Sequence, residues 1–359
     1  MKRSFPESSE EELFDVFKRD SSPNDNDEIL NQLKETYSEE YVQGQIENKK
    51  EFEYTPGEPV FVLALDGGGI RVILEMIILK IILIKFPNFL ERVIVYCGCS
   101  ASSFLSVALS LNFSIDDIIY LAKHLFKTTF QKKQTFFEKV GSLLYASYSN
   151  EYLSEFCETF FHGVYIKDLP HKICIPTYYN GNKESTEKDE REAGTIIYSN
   201  LQEEDETVTA HDACLSSSAA PSYFPPYNNH IDGGVVDNTG IRVGLFEMMY
   251  GKYHIDPKDI RMLSISSGRK KDFVVEYFNS FDGTLFVAKS TIDTCMNGPN
   301  DLTIEEAKKL LKERFMRIDI DLETDIPLDD VNKVDELEQI AENYDFSKVF
   351  EWINTIWFN

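Results

Sequence analysis

Short, continuous runs of apolar residues recur in the middle of this chain, and each leads into a turn of small residues and then a longer apolar stretch. Residues 60–65 (VFVLAL) precede a glycine turn, and residues 92–97 (RVIVYC) precede a turn at Gly98. Runs of this length without alternation are typical of strands buried on both faces of a parallel sheet. Residues 72–86 are apolar on nearly every helical face, which predicts a helix packed against that sheet.

The same alternation continues toward the C-terminus. Periodicity predicts further strands over 172–179, 195–198 and 262–265, and further helices over 115–161, 304–314 and 334–344. A charged segment over residues 181–192 has no apolar anchor, which predicts an exposed and mobile loop. Strand, turn and helix in repeated succession predict an α/β fold with a mainly parallel central sheet.

Residues 1–54 have a different composition, rich in Glu, Asp, Asn and Ser, and apolar residues are sparse after Phe17. This composition favours a flexible acidic arm with one or two marginal helices over a dedicated interaction module. The motif-bearing residues all follow this segment. We therefore predict one large catalytic domain over residues 55–359.

Charge and cysteine content exclude several classes of partner. The chain has 359 residues, 42% of them hydrophobic, and a net charge of -25 with an isoelectric point near 4.6. Such a surface repels the phosphates of nucleic acids and is not drawn to anionic membranes over long distances. Any lipid contact is therefore expected to be local and apolar, with the aromatic segments 130–137 and 223–227 as candidates.

The six cysteines contain no CxxC pair, so we expect reduced thiols and no structural metal. The N-terminus has no apolar signal region, and residues 72–86 are too short and too often interrupted by charge to span a bilayer. These patterns predict a cytoplasmic protein whose contact with membranes, if any, is transient and peripheral.

A triple glycine follows the first predicted strand. Gly67, Gly68 and Gly69 can adopt the backbone angles that turn several amides toward one point, at the start of a helix whose dipole favours negative charge. Arg71 adds positive potential or fixes the loop. The segment lacks both the last glycine of a dinucleotide fingerprint and the GK[ST] ending of a phosphate loop, so stabilisation of an oxyanion is the better interpretation.

Ser100 lies at the turn after the second predicted strand. Gly98 and Ala101 are small enough for the sharp bend that exposes a nucleophilic hydroxyl, although Ser102 is larger than the glycine usual at its position. The alternative is a turn of small residues that only lets the helix pack closely on its strand. Ester cleavage needs such a nucleophile together with an oxyanion site and a base.

Asp232 is the candidate base, since the two glycines after it permit a tight turn where partial burial raises the pKa of the carboxyl. An Asx turn is the structural alternative, and Asp237 is a weaker candidate. Serine hydrolases often use histidine instead. His230 would point to the same side as Asp232 in an extended segment, whereas His211 is expected to pack or lie at a solvent edge.

Several ordered blocks resemble those of patatin-like phospholipases. They are DGGGIR at 66–71, GCSAS at 98–102, SSAAPSYFPP at 217–226 and DGGVVDN at 232–238, with further similarity at 263–268 and 316–330. The resemblance covers roughly residues 60–345. It implies a three-layer α/β/α fold and a Ser-Asp dyad of Ser100 and Asp232. It also implies an oxyanion hole formed by Gly67, Gly68, Gly69, Arg71 and Ala101, a lipid acyl ester as substrate, and neither metal nor organic cofactor.

Two residues depart from the family pattern. Val72 and Ser102 stand where the family usually has glycine, and both are expected near the acyl group. Two functions therefore remain: a phospholipase A-type lipid acyl hydrolase or esterase, and a catalytically weakened lipid-binding descendant. An acidic interaction protein that binds through its N-terminal arm is a third hypothesis.

Overall fold

A computed structural model describes residues 23–130, 146–181, 192–202, 207–270 and 299–359. Within these ranges one sheet has seven strands, and its order is β4-β3-β2-β1-β6-β7 with β5 also paired to β3. The strands are β1 (Val60–Leu65), β2 (Val93–Gly98), β3 (Lys172–Tyr179), β4 (Gly194–Ser199), β5 (His230–Asp232), β6 (Ile260–Ile265) and β7 (Phe315–Ile318).

The sheet is mainly parallel, as the sequence predicts. Strand β1 pairs in parallel with β2 and β6, β2 with β3, and β6 with β7. Strands β4 and β5 run antiparallel to β3. Parallel strands end at the same edge of a sheet, so the glycine turn after β1 and the serine turn after β2 lie side by side.

Helices cover both faces of the sheet. In chain order they are α1 (Pro23–Thr36), α2 (Glu39–Glu47), α3 (Val72–Lys85), α4 (Ala101–Ser110), α5 (Ile115–Phe130), α6 (Glu151–Phe161), α7 (Ala210–Ser217), α8 (Gly234–Asp237), α9 (Ile241–Tyr250), α10 (residues 299–311), α11 (Val334–Glu342) and α12 (Ser347–Trp352), which continues as a π-helical turn over Ile353–Trp357.

Strand β1 shows how the three layers form. Its side chains alternate between the faces, so Phe61, Leu63 and Leu65 join one apolar cluster, which includes residues of α3, α4 and α5. Val62 and Ala64 join a second cluster with residues of α9 and α10. Every residue of β1 is buried, which explains the unbroken apolar run. The three-layer α/β/α prediction is confirmed.

The predicted elements differ from the structure mainly in their continuity. The single helical region expected over 115–161 contains α5 and α6, and the residues between 130 and 146 lie outside the described ranges, as does most of the charged segment 181–192. Across the described parts of the chain, no helix combines the length and apolar content that crossing a membrane requires.

In the predicted acidic arm, residues 1–22 lie outside the described ranges, and residues 23–47 form two helices that pack on the rest of the protein. Helices α1 and α2 pack on the main core, where Leu33, Tyr37 and Val42 are buried. The Tyr37 ring stacks on Phe113 with 3.8 Å between ring centroids, and its hydroxyl donates a 2.6 Å hydrogen bond to Asp117. A few well-placed apolar residues therefore anchor a segment that is polar on average, which an argument from composition does not detect.

If α1 and α2 are an integral part of the fold, removing the Tyr37 ring destabilises the whole protein. We expect Tyr37→Ala to lower the free energy of unfolding by about 3 kcal/mol, since a buried aromatic and its packing are lost. Urea titration followed by circular dichroism measures this. Glu35→Ala, which removes an exposed side chain of α1, is the matched control. Equal unfolding midpoints for the two variants would contradict the docking of these helices.

Candidate active site

Ser100 lies in a strained turn between β2 and α4. Its backbone has φ 52° and ψ −126°, a conformation that non-glycine residues rarely adopt. The bend also requires Gly98, because a Cβ atom there would lie 2.2 Å from the carbonyl oxygen of Ser102. The Ser100 amide donates a 3.0 Å hydrogen bond to the Ser217 hydroxyl, which helps to hold the turn. This geometry matches the sharp turn that presents a nucleophilic hydroxyl.

Asp232 ends β5, where it pairs with Thr177 of β3. Its Oδ2 atom accepts a 2.6 Å hydrogen bond from Ser100 Oγ, and its Oδ1 atom accepts one of 2.7 Å from the Gly234 amide. Gly233 is required by packing, since a Cβ atom there would lie 2.0 Å from the Pro176 carbonyl oxygen. The structure therefore brings Ser100 and Asp232 together through the sheet.

The Asp232 carboxyl is fully buried, and burial raises its pKa from 3.8 to about 6. The hydrogen bonds from Ser100 and the Gly234 amide partly oppose this rise, because they favour the charged form. A carboxyl with this pKa is ionised near neutral pH yet binds a proton more readily than an ordinary aspartate. These are the properties of a working general base.

The glycine loop does not present all three of its amides. Gly67 donates a 2.8 Å hydrogen bond to the Asn238 carbonyl, so the structure does not offer its amide to an oxyanion, contrary to the sequence prediction. Within the described ranges no acceptor is found for the amides of Gly68, Gly69 or Ala101. Gly69 has φ 53°, where a side chain would be strained. These three residues line one cavity together with Ser100 and Arg71.

Val72 and Ser102 do not enter that cavity. Both side chains are fully buried, and neither residue lines the cavity next to Ser100. The expectation that they crowd the acyl group is therefore wrong. The Ser102 side chain points away from the cavity because its hydroxyl is hydrogen-bonded elsewhere. It lies 2.7 Å from the Asp66 carbonyl oxygen and 2.6 Å from Glu75 Oε2.

Glu75 is a buried acid beneath the glycine loop. Burial raises its pKa well above the usual value, and the nearby Asp66 carboxylate raises it further. The single proton of the Ser102 hydroxyl faces two acceptors, Glu75 Oε2 and the Asp66 carbonyl oxygen. Asp66 itself is held by two hydrogen bonds of 2.7 and 2.6 Å from Arg317. The departure at Ser102 thus ties α4 to α3 and to the start of the glycine loop.

The other candidate bases have different partners. His230 contacts the Tyr198 hydroxyl and the Asn228 carbonyl, at 3.1 and 2.7 Å. His211 contacts Ser154 at 2.8 Å. Asp237 accepts hydrogen bonds from the amides of Thr239 and Val243, at 3.0 and 2.9 Å, and so links α8 to α9.

In the parts of the chain that are described, no group of three His, Cys, Asp or Glu residues is arranged to hold a metal ion.

The cavity beside Ser100 has a volume of about 650 Å³ and two chemically different ends. Its deep end is apolar and is lined largely by α4, α5 and α6. Its mouth carries Arg71, Arg269, Lys270, Asp301 and Asp325. Three of the aromatic residues considered for membrane contact, Phe130, Tyr223 and Phe224, are buried and line this cavity. Residues 131–137 of the same candidate segments lie outside the described ranges.

The patatin-like phospholipase family model matches residues 63–245, which contain the glycine loop, the serine turn and the aspartate. The chain belongs to the patatin-like phospholipase family. It is 27% identical over 226 residues to a cGAMP-activated phospholipase from Pseudomonas aeruginosa, a match that covers 59% of this chain and 63% of that protein. It is 23% identical over 257 residues to patatin-2-Kuras 4 from Solanum tuberosum, which covers 62% of this chain and 66% of the relative.

The chain therefore spans less than two thirds of the length of either patatin-like relative. Among solved structures, it is similar to VipD from Legionella pneumophila, with a TM-score of 0.35 and 12% identity. That match covers 80% of this chain and 67% of that one.

The residues that hold the site in place were not predicted from the sequence. Asn238 makes two hydrogen bonds to Gly67. Its backbone carbonyl accepts one from the Gly67 amide, and its side-chain amide donates one of 3.0 Å to the Gly67 carbonyl. Ser217 fixes the Ser100 amide, and Arg317 fixes Asp66. All three lie within segments already noted for their family resemblance, but their partners are far away in sequence and no local pattern reveals them.

Restoring the family's usual residue by Ser102→Gly is expected to destabilise the protein by about 1–3 kcal/mol, because it leaves Glu75 and the Asp66 carbonyl without the shared hydroxyl. It is not expected to raise activity or lengthen the accepted acyl chain, since Ser102 is absent from the cavity lining. Chemical denaturation and esterase kinetics measure the two effects. A more active variant of unchanged stability would mean that Ser102 obstructs the site after all.

Proposed function

We propose that this protein is a lipid acyl hydrolase that cleaves fatty acyl esters through a Ser100–Asp232 dyad. The observation that carries the proposal is the 2.6 Å hydrogen bond from the strained Ser100 to a buried carboxylate beside an apolar cavity. Membership of the patatin-like phospholipase family supports a lipid ester as the substrate. We further propose that residues 55–359 form the catalytic domain and that α1 and α2 complete its core.

In the first step of this mechanism, Ser100 Oγ attacks the ester carbonyl while Asp232 Oδ2 accepts its proton. The carbonyl oxygen becomes negatively charged. The amides of Gly68, Gly69 and Ala101 are the proposed donors to it, aided by the N-terminal end of the α4 dipole. The tetrahedral intermediate then collapses. The C–O bond to the alcohol breaks, Asp232 returns the proton to the departing oxygen, and the acyl group remains on Ser100.

In the second step, water attacks the acyl-enzyme. Asp232 accepts a proton from the water as the new C–O bond forms, and the same amides stabilise the second oxyanion. Ser100 leaves with the proton from Asp232, and the fatty acid is released. Every proton transfer thus uses one carboxyl, which must alternate between its two protonation states. A pKa of about 6 suits this alternation at neutral pH.

The shape and charge of the cavity support a phospholipid or similar amphiphile as the substrate. The apolar end accommodates an acyl chain next to Ser100, whereas Arg71, Arg269 and Lys270 lie at the mouth. Asp301 and Asp325 also lie at the mouth, and Asp301 pairs with Arg269, so the cations considered for a ligand are Arg71 and Lys270. They suit the phosphate of a lipid headgroup, which supports phospholipase A-type cleavage, with a transient contact between the mouth and a membrane surface.

If Ser100 is the nucleophile, a fluorophosphonate probe labels the wild-type protein rapidly, because the probe reacts with an activated serine. Ser100→Ala is expected to lose labelling and to reduce kcat for nitrophenyl acyl esters by about 10⁴-fold or more. Ser110→Ala, at the other end of the same helix, is the control and should retain both. A folded wild-type protein that is neither labelled nor active would favour the weakened lipid-binding descendant instead.

If Asp232 is the base, kcat/KM falls about tenfold per pH unit below about pH 6, since only the ionised carboxylate accepts the proton. The contribution of the Asp232 carboxyl to the stability of the fold changes with pH in the opposite direction to kcat/KM. The folded state raises this pKa from 3.8, so the group favours folding at low pH, and this contribution is lost as the pH rises through about 6. A pH–rate profile measures the inflection. His230→Gln should leave it unchanged, and a loss of the inflection in that variant would assign the base to histidine.

A further inference from the structure

A second cavity of about 230 Å³ adjoins the first and is open to solvent, since most of its lining residues are partly or fully exposed. Leu30 and Lys34 of α1 form part of it, together with residues of α5 and α6. The two cavities share three lining residues, Leu121 and Leu125 on α5 and Phe156 on α6. A residue that lines both cavities lies between them, so these three side chains form a dividing wall.

The dividing wall, defined as Leu121, Leu125 and Phe156, is apolar and well packed. Leu121 and Leu125 are one helical turn apart and are only 3% and 8% exposed. The Phe156 ring packs edge-on against Phe104, with 6.0 Å between centroids, and Phe104 lines the first cavity. The far end of the first cavity is thus closed by side chains of the same character as an acyl chain.

We propose that the dividing wall sets the length of the fatty acyl chain that the enzyme accepts, because it closes the acyl site off from the second, distal cavity. The inference rests on the proposed function, because it assigns the apolar end of the first cavity to the acyl chain. When the wall is opened by substitution, the distal cavity accepts the terminal methylene segment of a long, unbranched chain. Each methylene buried there is worth about fourfold in affinity.

Helix α1 gives the distal cavity its outer boundary. Leu33 of this helix and Tyr37, just after its last residue, are buried in the core and fix the helix in place. Leu30 and Lys34 line the distal cavity. Lys34, His124 and Glu155 make part of the distal lining polar. An apolar chain gains little beyond such groups, so the acyl channel ends there. The N-terminal helix therefore limits the space that becomes available when the wall is opened, although it lies outside residues 63–245, which the family model matches.

Removing the largest wall side chain tests the proposal. Phe156→Ala is expected to shift the optimum in a series of nitrophenyl esters of 4 to about 18 carbons toward longer chains. The ratio of kcat/KM for long over medium chains should rise about tenfold or more, on the scale of a few buried methylenes. Phe160→Ala is the matched control, since Phe160 lies one turn away on α6 and lines only the distal cavity. Because the wall is intact in Phe160→Ala, this variant should keep the wild-type dependence of kcat/KM on chain length.

A second substitution in the distal cavity makes the test specific. Leu30→Trp is expected to have no effect on the chain-length profile of the wild type, where the wall already blocks the path. In the Phe156→Ala background it should reverse the gain by filling the opened space. If Phe156→Ala does not fold, Leu125→Ala takes its place. A profile for the wall variant that matches both the wild type and Phe160→Ala would overturn the proposal.

A binding measurement separates this inference from the hydrolase mechanism. Ser100→Ala protein is titrated with free fatty acids of 8 to about 18 carbons, with and without Phe156→Ala, by calorimetry. A gain in affinity for long chains only in the double variant supports the channel without any hydrolysis. Hydrolysis of short esters by the wild type, with no gain in long-chain binding or turnover in the wall variant, overturns the channel and leaves the proposed mechanism standing.

Discussion

The hydrogen bond from Ser100 Oγ to Asp232 Oδ2 joins residues 132 positions apart, and each partner reaches it under constraint. Ser100 occupies a backbone conformation that costs about 1–3 kcal/mol for a residue with a side chain. Asp232 carries its charge in a fully buried position, which raises its pKa. Neither state would persist alone. The surrounding packing sustains both, so the site is organised before any substrate arrives.

The glycine loop shows how the same packing orients an oxyanion site. Asn238 holds Gly67 at its amide and at its carbonyl, and the Ser267 hydroxyl donates a 2.9 Å hydrogen bond to the same carbonyl. Arg317 fixes the preceding carboxylate, Asp66. Fixed dipoles stabilise a developing charge without having to reorganise. These bonds fix Gly67, which precedes Gly68 and Gly69, the residues whose amides we propose as oxyanion donors.

The substrate side of the site is built on a different part of the fold. The turns that carry Ser100 and Asp232 lie where strands of the sheet end, but the apolar cavity is formed largely between α4, α5 and α6. Helices α1 and α2 stabilise this group from outside through Tyr37 and its contacts with Phe113 and Asp117. The separation has a functional meaning. In the proposed function, the chemistry takes place where the strands end, and the acyl chain is bound between helices that pack on the sheet.

Local patterns in the sequence determined the parts of this protein that depend on neighbouring residues. Unbroken apolar runs specified β1 and β2, and the small residues around Ser100 and Asp232 marked turns that larger side chains would block. The ordered motifs also indicated the family. These features follow from backbone sterics and from burial of one strand at a time, so they are visible without knowledge of the rest of the chain.

Tertiary structure alone decided which of the candidate groups meet. Asp232 reaches Ser100, whereas His230, two residues earlier in the same strand, contacts the Tyr198 hydroxyl. The Gly67 amide is bonded to the carbonyl of Asn238, 171 residues away. The packing of α1 and α2, the role of Ser102 beside Glu75 and the second cavity all arise from contacts between distant segments. Such contacts depend on how whole helices and strands pack, and the spacing of residues along one segment carries no record of them.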